Sequence, residues 1–177
     1  MSGLPIDILD SNAGSFYLGP NNGWSRPSWA PGATRSAAMS NVPAGYFFNP
    51  FAFVRPVVLT GQVIPSSNGT AVAGATGTDF GNVGRNVLRG PAQANVDFSI
   101  IKRFPISESK NLELRAEFFN LFNHVNFANP VSNFNAVPST SIDQSNGHII
   151  GDPGDFGRIN STSNNPRLIQ LVVKFNF

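Results

Sequence analysis

The feature that most constrains the fold of this chain is the alternation of apolar and polar side chains over residues 167–177 (RLIQLVVKFNF). Successive side chains of an extended strand point to opposite faces. One face would carry Ile169, Leu171, Val173, Phe175 and Phe177, and the other would carry Gln170, Lys174 and Asn176, with Leu168 and Val172 as its apolar exceptions. The alternation therefore predicts a strand whose apolar face must be covered, either by a second sheet or by lipid.

Two upstream segments show the same period of two and predict a hairpin over 95–123. In 95–104 (NVDFSIIKRF) an apolar residue falls on every second position from Val96 to Ile100, and 105–110 (PISESK) is a short polar turn. In 111–123 (NLELRAEFFNLFN) the apolar set is Leu112, Leu114, Ala116 and Phe118, and the opposite set includes Glu113, Arg115 and Glu117. These apolar positions scatter around a helical wheel, so we favour a strand over a helix.

The remaining sequence predicts long connections. Residues 1–10 contain a possible strand at 4–9, whereas 11–94 and 124–166 are rich in Asn, Ser, Pro and Gly and predict two long outer loops before the closing strand at 167–177. Structureless loops of this length are uncommon in compact domains. Short turns on one side and long extracellular loops on the other are typical of outer-membrane β-barrels. The predicted fold class is therefore all-β, with antiparallel strands and long extracellular loops.

Composition excludes several classes of function. The chain has no cysteine, which excludes disulfides, thiolate metal sites and cysteine nucleophiles. A net charge of +2 without any run of basic residues gives no electrostatic basis for binding nucleic acid. No apolar run is long enough for a transmembrane helix. Residues 1–12 lack the basic and apolar regions of a secretory signal, so the barrel interpretation predicts the carboxyl-terminal part of a longer protein or a truncated reading frame.

Candidate catalytic and metal-binding residues form no convincing set. Glu113 and Glu117 would lie in one row of a strand face, where charges lining a watery lumen are the simpler interpretation than acid–base catalysis. His124 and His148, even with Asp143, Asp152 and Asp155, show no metal-ligand spacing. The glycines of 81–90 are not followed by the Lys-Ser/Thr pair of a phosphate loop. We expect no enzyme activity, no cofactor and no metal site.

Aromatic residues in the first long loop are the candidates for ligand contact. They are Trp24, Trp29, Tyr46 and Phe47. Aromatic rings on an outer surface can bind sugars or other ligands, but they also pack a loop upon itself or form an interfacial girdle.

Several segments in order resemble the carboxyl-terminal end of Oar-like TonB-dependent outer-membrane receptors, which are common in Acidobacteria and carry a carboxypeptidase-regulatory-like domain. The segments are GRNVLRGP (84–91), NVDFSIIKRF (95–104), LELRAEFFNLFNHVNFANP (112–130), FGRI (156–159) and NPRLIQLVVKFNF (165–177), with YFFNPFAF (46–53) as a looser match. The resemblance implies a location in the bacterial outer membrane and a barrel of about 22 strands around an amino-terminal plug.

The same resemblance implies the function and the partners. In such receptors outer loops and plug capture a ligand, and an inner-membrane complex then moves the plug. The expected partners are outer-membrane lipid, the remainder of the receptor (plug and upstream strands), an unknown ligand, and the barrel-assembly machinery, which would read the final strand with Phe177 as an insertion signal.

The alternative class is a soluble extracellular β-sandwich that binds carbohydrate through its aromatic loops. A sandwich requires a second sheet over the apolar face of the strands, and only three convincing strands are available to form both sheets. Whether that face is covered therefore discriminates between the two interpretations.

Overall fold

The computed structural model describes residues 3–15, 25–58 and 78–177. Within these ranges the elements are β1 (Pro5–Ile6), β2 (Ser28–Trp29), α1 (Arg35–Ser40), β3 (Phe53–Val54), β4 (Leu88–Arg89), β5 (Phe98–Ser107), β6 (Lys110–Phe119) and β7 (Leu168–Asn176), with 3-10 turns at Pro50–Ala52, Phe134–Ala136 and Ser139–Ser141. Every pair of these strands is antiparallel, and the described helix has six residues. The predicted all-β antiparallel class is confirmed.

The described chain divides into two compact units. The sheet unit comprises Pro91–Ala128 and Ser161–Phe177, and the loop unit comprises Gly3–Gly90 and Asn129–Asn160. No helix in the described ranges has the length and hydropathy needed to cross a membrane.

The sheet unit is built on one sheet with the strand order β5-β6-β7. The predicted hairpin forms, with Ile100 opposite Ala116, and β7 pairs along the other edge of β6, with Leu171 opposite the same Ala116. The strands contain ten, ten and nine residues. These lengths agree with the roughly 9–11 residues of a transmembrane β-strand.

The hairpin differs from its predicted limits at both ends. β5 starts at Phe98 rather than at 95, and it continues to Ser107, where a register shift makes Ile106 an extra residue before a turn of only two residues, 108–109. β6 ends at Phe119 rather than at 123. Its continuation is stopped by Asn120 and Asn123, whose backbones adopt φ of 53° and 51°. Asparagine tolerates this left-handed conformation, which no strand can contain.

The loop unit contains the possible strand of 4–9, but only Pro5–Ile6 is extended there, and it pairs with Leu88–Arg89. This pairing is too short for a barrel strand, and Ile6 and Ile8 are buried in a core instead. The described parts of the two predicted outer loops share that core. Its buried members are Ile6, Ile8, Ala38, Phe48, Ala52, Phe53, Val83, Leu88, Phe134, Val137, Ile142, Ile149 and Phe156.

Four phenylalanines form the centre of this core. The ring of Phe156 meets Phe48, Phe53 and Phe134 edge-on, with centroids 5.2, 5.8 and 5.3 Å away. Such edge-to-face contacts add about 0.5–1.5 kcal/mol per pair to the burial of the rings. Residues 48, 53, 134 and 156 come from distant parts of the sequence, so the cluster joins both loops into one unit.

A buried ion pair makes a second connection within the loop unit. The Arg55 guanidinium donates from Nε and Nη2 to the two carboxylate oxygens of Asp10, at 2.8 and 2.9 Å, and Nη2 also donates to Oδ1 of Asn135. The guanidinium carbon lies 5.3 Å from the centre of the Phe134 ring. Asp10 is fully buried. Removing one member of such a pair leaves an uncompensated buried charge, which destabilises by about 3–5 kcal/mol.

Replacing Gly147 by alanine should destabilise the loop unit more than replacing Gly32. Both glycines have φ of +74°, but a Cβ on Gly147 would overlap the Arg55 carbonyl oxygen, whereas a Cβ on Gly32 would meet no atom within 4 Å. We expect Gly32→Ala to cost about 1–2 kcal/mol from backbone strain alone. Gly147→Ala should cost about 1–3 kcal/mol more from overpacking.

Chemical denaturation of each variant, monitored by the sensitivity of the loop unit to limited proteolysis, would measure this difference in the free energy of unfolding. Gly32→Ala is the matched control because it imposes the same backbone conformation without the overlap. Equal losses of stability in the two variants would contradict the close approach between residues 55 and 147.

Candidate functional site

The two faces of the three-stranded sheet differ in their chemistry. Residues paired across the strands lie on the same face, so the alternation of each strand adds to that of its neighbours. One face carries Phe98, Ile100, Lys102 and Phe104 of β5, Leu112, Leu114, Ala116 and Phe118 of β6, and Ile169, Leu171, Val173 and Phe175 of β7. We call it the apolar face. No described residue covers it, since Leu171 and Val173 are 76% and 69% exposed.

Aromatic rings mark both ends of the apolar face. Phe98 and Phe118 lie side by side at one end, with centroids 6.2 Å apart, and Phe175 stacks on Phe177 at the other end at 6.1 Å, where Phe104 also lies. Phe98 and Phe104 are six positions apart on β5, which corresponds to about 20 Å of strand. An aliphatic band between two aromatic girdles is typical of the outer surface of an outer-membrane barrel.

The opposite face of the sheet is polar and carries a row of ion pairs, which we call the charged row. Arg103 on β5 donates from Nε to Oε2 of Glu113 at 2.7 Å. Arg115 joins the two glutamates of β6, with Nη2 3.0 Å from Oε1 of Glu113 and Nη1 3.4 Å from Oε1 of Glu117. Neighbouring side chains of one face thus pair with each other, which is the arrangement expected on the wall of a water-filled lumen.

Beyond the ends of its strands, the sheet unit is held together by hydrogen bonds of asparagine side chains. The Asn126 amide donates to the Ala94 carbonyl and accepts from the Ala94 N–H, both at 2.8 Å. The Asn126 N–H in turn donates to Oδ1 of Asn164 at 2.9 Å. Asn120 donates to the carbonyls of His124 and Asn165. These contacts have no periodic signal in the sequence, where the abundance of asparagine is the available indication.

The described loop aromatics pack within the loop unit. Trp29 stacks on Phe53 with centroids 4.9 Å apart, and Phe47 packs against the core. The Tyr46 hydroxyl accepts from Nη2 of Arg158 at 3.0 Å and lies 3.2 Å from Oδ1 of Asp152. Trp24 lies outside the described residues. Each described ring retains an exposed fraction, and their contact with a ligand stays a prediction.

Two charged groups of the loop unit have perturbed titration. The hydrogen bond to the Tyr46 hydroxyl raises the pKa of Arg158. The pKa of Asp143 is lowered by hydrogen bonds from the Ser145 side chain and backbone and from Asn146, with the nearby charge of His148 as a further cause. The Asp143 carboxylate is therefore already hydrogen-bonded within its own turn. Among the described residues, no three histidine, aspartate or glutamate side chains converge on a point that could hold a metal ion.

An uncovered apolar face between aromatic girdles, backed by a charged row, is typical of a wall segment of a membrane-embedded antiparallel β-barrel. The sequence matches the family described as outer membrane beta barrel domain over residues 1–170, and the chain belongs to that family. No curated protein and no solved structure matches the chain. The expected location in the bacterial outer membrane is confirmed, and the soluble sandwich is not favoured.

An arginine on the apolar face should block assembly in the membrane, whereas one on the polar face should not. Leu171 lies between the aromatic girdles, two positions from Ile169 and four from Phe175, and its neighbour Gln170 lies opposite Glu117 on the polar face. We expect Leu171→Arg to cost about 2–4 kcal/mol, the penalty of a basic side chain near the bilayer midplane. Gln170→Arg adds the same charge to the same strand and should be tolerated.

The amount of folded protein in isolated outer membranes would report the outcome, measured by its heat-modifiable mobility in gel electrophoresis. If Leu171→Arg and Gln170→Arg were equally abundant and equally folded, the assignment of the lipid-facing side would be wrong.

Proposed function

We propose that this chain forms part of a TonB-dependent outer-membrane receptor, to which it contributes wall strands, ligand-facing outer loops and the terminal insertion strand. The observation that carries the proposal is the asymmetry of the sheet unit. A turn of two residues joins β5 to β6, whereas β6 and β7 are joined through residues that enter a packed loop unit. In barrels of this kind turns face the periplasm and long loops face the exterior.

The internal order of the loop unit supports a receptor. Its core of phenylalanines and its Asp10–Arg55 pair join the described segments of the loops. Binding to an ordered surface avoids the entropic cost of ordering loops on the ligand. Trp29, Tyr46 and Phe47 lie on this unit, so we propose that they contact the ligand, together with Trp24. The resemblance of the sequence to Oar-like receptors supports energised transport as the purpose of that contact.

The edges of the sheet support further strands in the complete barrel. Among the described residues, β5 and β7 each pair with β6 alone, so each leaves one edge open. An open edge is not tolerated in lipid because its N–H and C=O groups would have no partner. The smallest outer-membrane barrels have about eight strands. We propose that the remainder of the receptor supplies the missing strands together with the plug.

The last strand supports recognition by the barrel-assembly machinery. Its apolar side chains are Ile169, Leu171, Val173, Phe175 and Phe177, and all five are exposed. The stacked pair of Phe175 and Phe177 places two rings at the end of the strand. We propose that these rings and the open edge of β7 are the features that the machinery binds during insertion.

Cysteine labelling in intact cells would test the proposed orientation. The chain has no native cysteine, so single substitutions report one position each. Ser36→Cys on α1 of the loop unit should react with a membrane-impermeant maleimide from outside the cell. Ser109→Cys in the turn should react only after the outer membrane is permeabilised. Both residues are exposed, so exposure alone does not distinguish them, and the reverse pattern of labelling would refute the orientation.

Crosslinking in the native host would test the transporter class separately. We expect the protein to give an adduct with the TonB protein of the inner membrane after formaldehyde treatment, because a TonB-dependent receptor must contact it during transport. A porin of the same host serves as the control. A correctly oriented barrel that gives no more adduct than the porin would be an outer-membrane barrel of another class.

A further inference from the structure

Lys102 is out of place on the apolar face. It pairs with Leu114, which pairs with Val173, so its side chain starts on the same face as these two residues. Between the two aromatic girdles it is the one charged side chain on that face among the residues that the structure describes, since Lys110 of β6 lies beyond the girdle next to the turn, and no carboxylate forms an ion pair with Lys102. An isolated ammonium in the apolar band is unfavourable.

The side chain of Lys102 is directed toward one end of the apolar face. Its Nζ lies 5.8 Å from the centroid of the Phe104 ring. Phe104 belongs to the aromatic girdle nearer the turn at 108–109. Long basic side chains in membrane proteins extend in this way to place their charge at the level of the lipid headgroups. Aromatic girdles lie at the membrane interfaces, so the ammonium of Lys102 is directed toward the interface nearer that turn.

A shallow depression adjoins Lys102 on the same face. Its volume is about 320 Å³, and its lining includes Ile100, Leu114, Ala116, Leu171 and Val173. The depression exists because Ala116, a small residue, lies between Ile100 and Leu171 in one row of the sheet. An aliphatic depression of this kind accommodates an acyl chain, which packs against the exposed methyl groups.

We infer that Lys102 and this depression bind one glycerophospholipid of the inner leaflet of the outer membrane, with the phosphate on Nζ and an acyl chain over Ala116. The lipid phosphate gives Lys102 a negatively charged partner, and the two form a charge-assisted hydrogen bond. The choice of leaflet rests on the proposed orientation, in which the turn at 108–109 faces the periplasm. The lipid-facing role of the sheet itself rests on its apolar face and its family.

Native mass spectrometry of the complete protein, extracted from the outer membrane and delipidated, would test this site. The probes are phosphatidylglycerol and diacylglycerol, which share acyl chains but differ in the phosphate. We expect Lys102→Gln to weaken phosphatidylglycerol binding about fivefold, since one basic residue near an anionic headgroup contributes roughly this factor. Diacylglycerol binding should not change, and Lys102→Arg should retain phosphatidylglycerol.

Lys174→Gln is the matched control. Lys174 lies one register position from Lys102, on the polar face, opposite Glu113, and its loss should leave phosphatidylglycerol binding unchanged. An equal effect of Lys102→Gln and Lys174→Gln, or no effect of either, would overturn the site. Tighter binding of lipid A than of phosphatidylglycerol at Lys102 would overturn the proposed occupant.

Ala116→Leu provides an independent variant with Lys102 intact. Filling the depression should weaken phosphatidylglycerol and diacylglycerol alike, and unchanged binding of both would contradict acyl-chain contact there. Heat-modifiable mobility of each variant shows that the barrel is folded. The outcome is separable from the proposed transport function, because TonB crosslinking and cysteine labelling do not depend on Lys102.

Discussion

The structure of the sheet unit depends on the register in which its three strands pair. A shift of one residue would move every side chain of a strand to the opposite face. On β6 such a shift would place Glu113 and Arg115 among the apolar residues of β5 and β7. The charged row penalises that error, because its ion pair between strands forms only when Arg103 faces Glu113. The charged row therefore stabilises the register that keeps the other face uniformly apolar.

The loop unit consists of long connections with little regular structure, so other contacts must order it. Where distant segments of this unit meet, they are joined by single backbone hydrogen bonds rather than by long strand ladders. Examples are the bonds that connect Leu9 with Ser132 and with Phe134. Buried aromatic rings supply the apolar contacts, and the Asp10–Arg55 pair satisfies the charges that lie among them. A low content of charged residues suits this arrangement, since few of them need to be kept in water.

The sequence predicts the sheet unit better than the loop unit, for a physical reason. Alternation is a local property, so β5, β6 and β7 are visible in windows of about ten residues. Their limits are less visible, since Asn120, whose left-handed backbone ends β6, interrupts the apolar alternation but is followed by the apolar Leu121 and Phe122. The proximity of Phe48 and Phe156 has no local signal, because contacts between distant segments leave no periodicity. The position of Lys102 on the apolar face follows from register, yet its orientation toward Phe104 requires coordinates.

Phenylalanine serves both units in opposite environments. Phe48, Phe53, Phe134 and Phe156 are fully buried in the loop unit, whereas Phe98, Phe104 and Phe175 are 43–50% exposed on the sheet. Rings of the first kind obtain their apolar environment from the chain itself, and rings of the second kind obtain it from lipid. The order of the loop unit therefore depends on its own contacts, whereas the sheet needs the membrane and neighbouring strands. Because the two sets share no residue, substitutions that reshape the loop unit can alter the surface it presents without changing the lipid-facing wall.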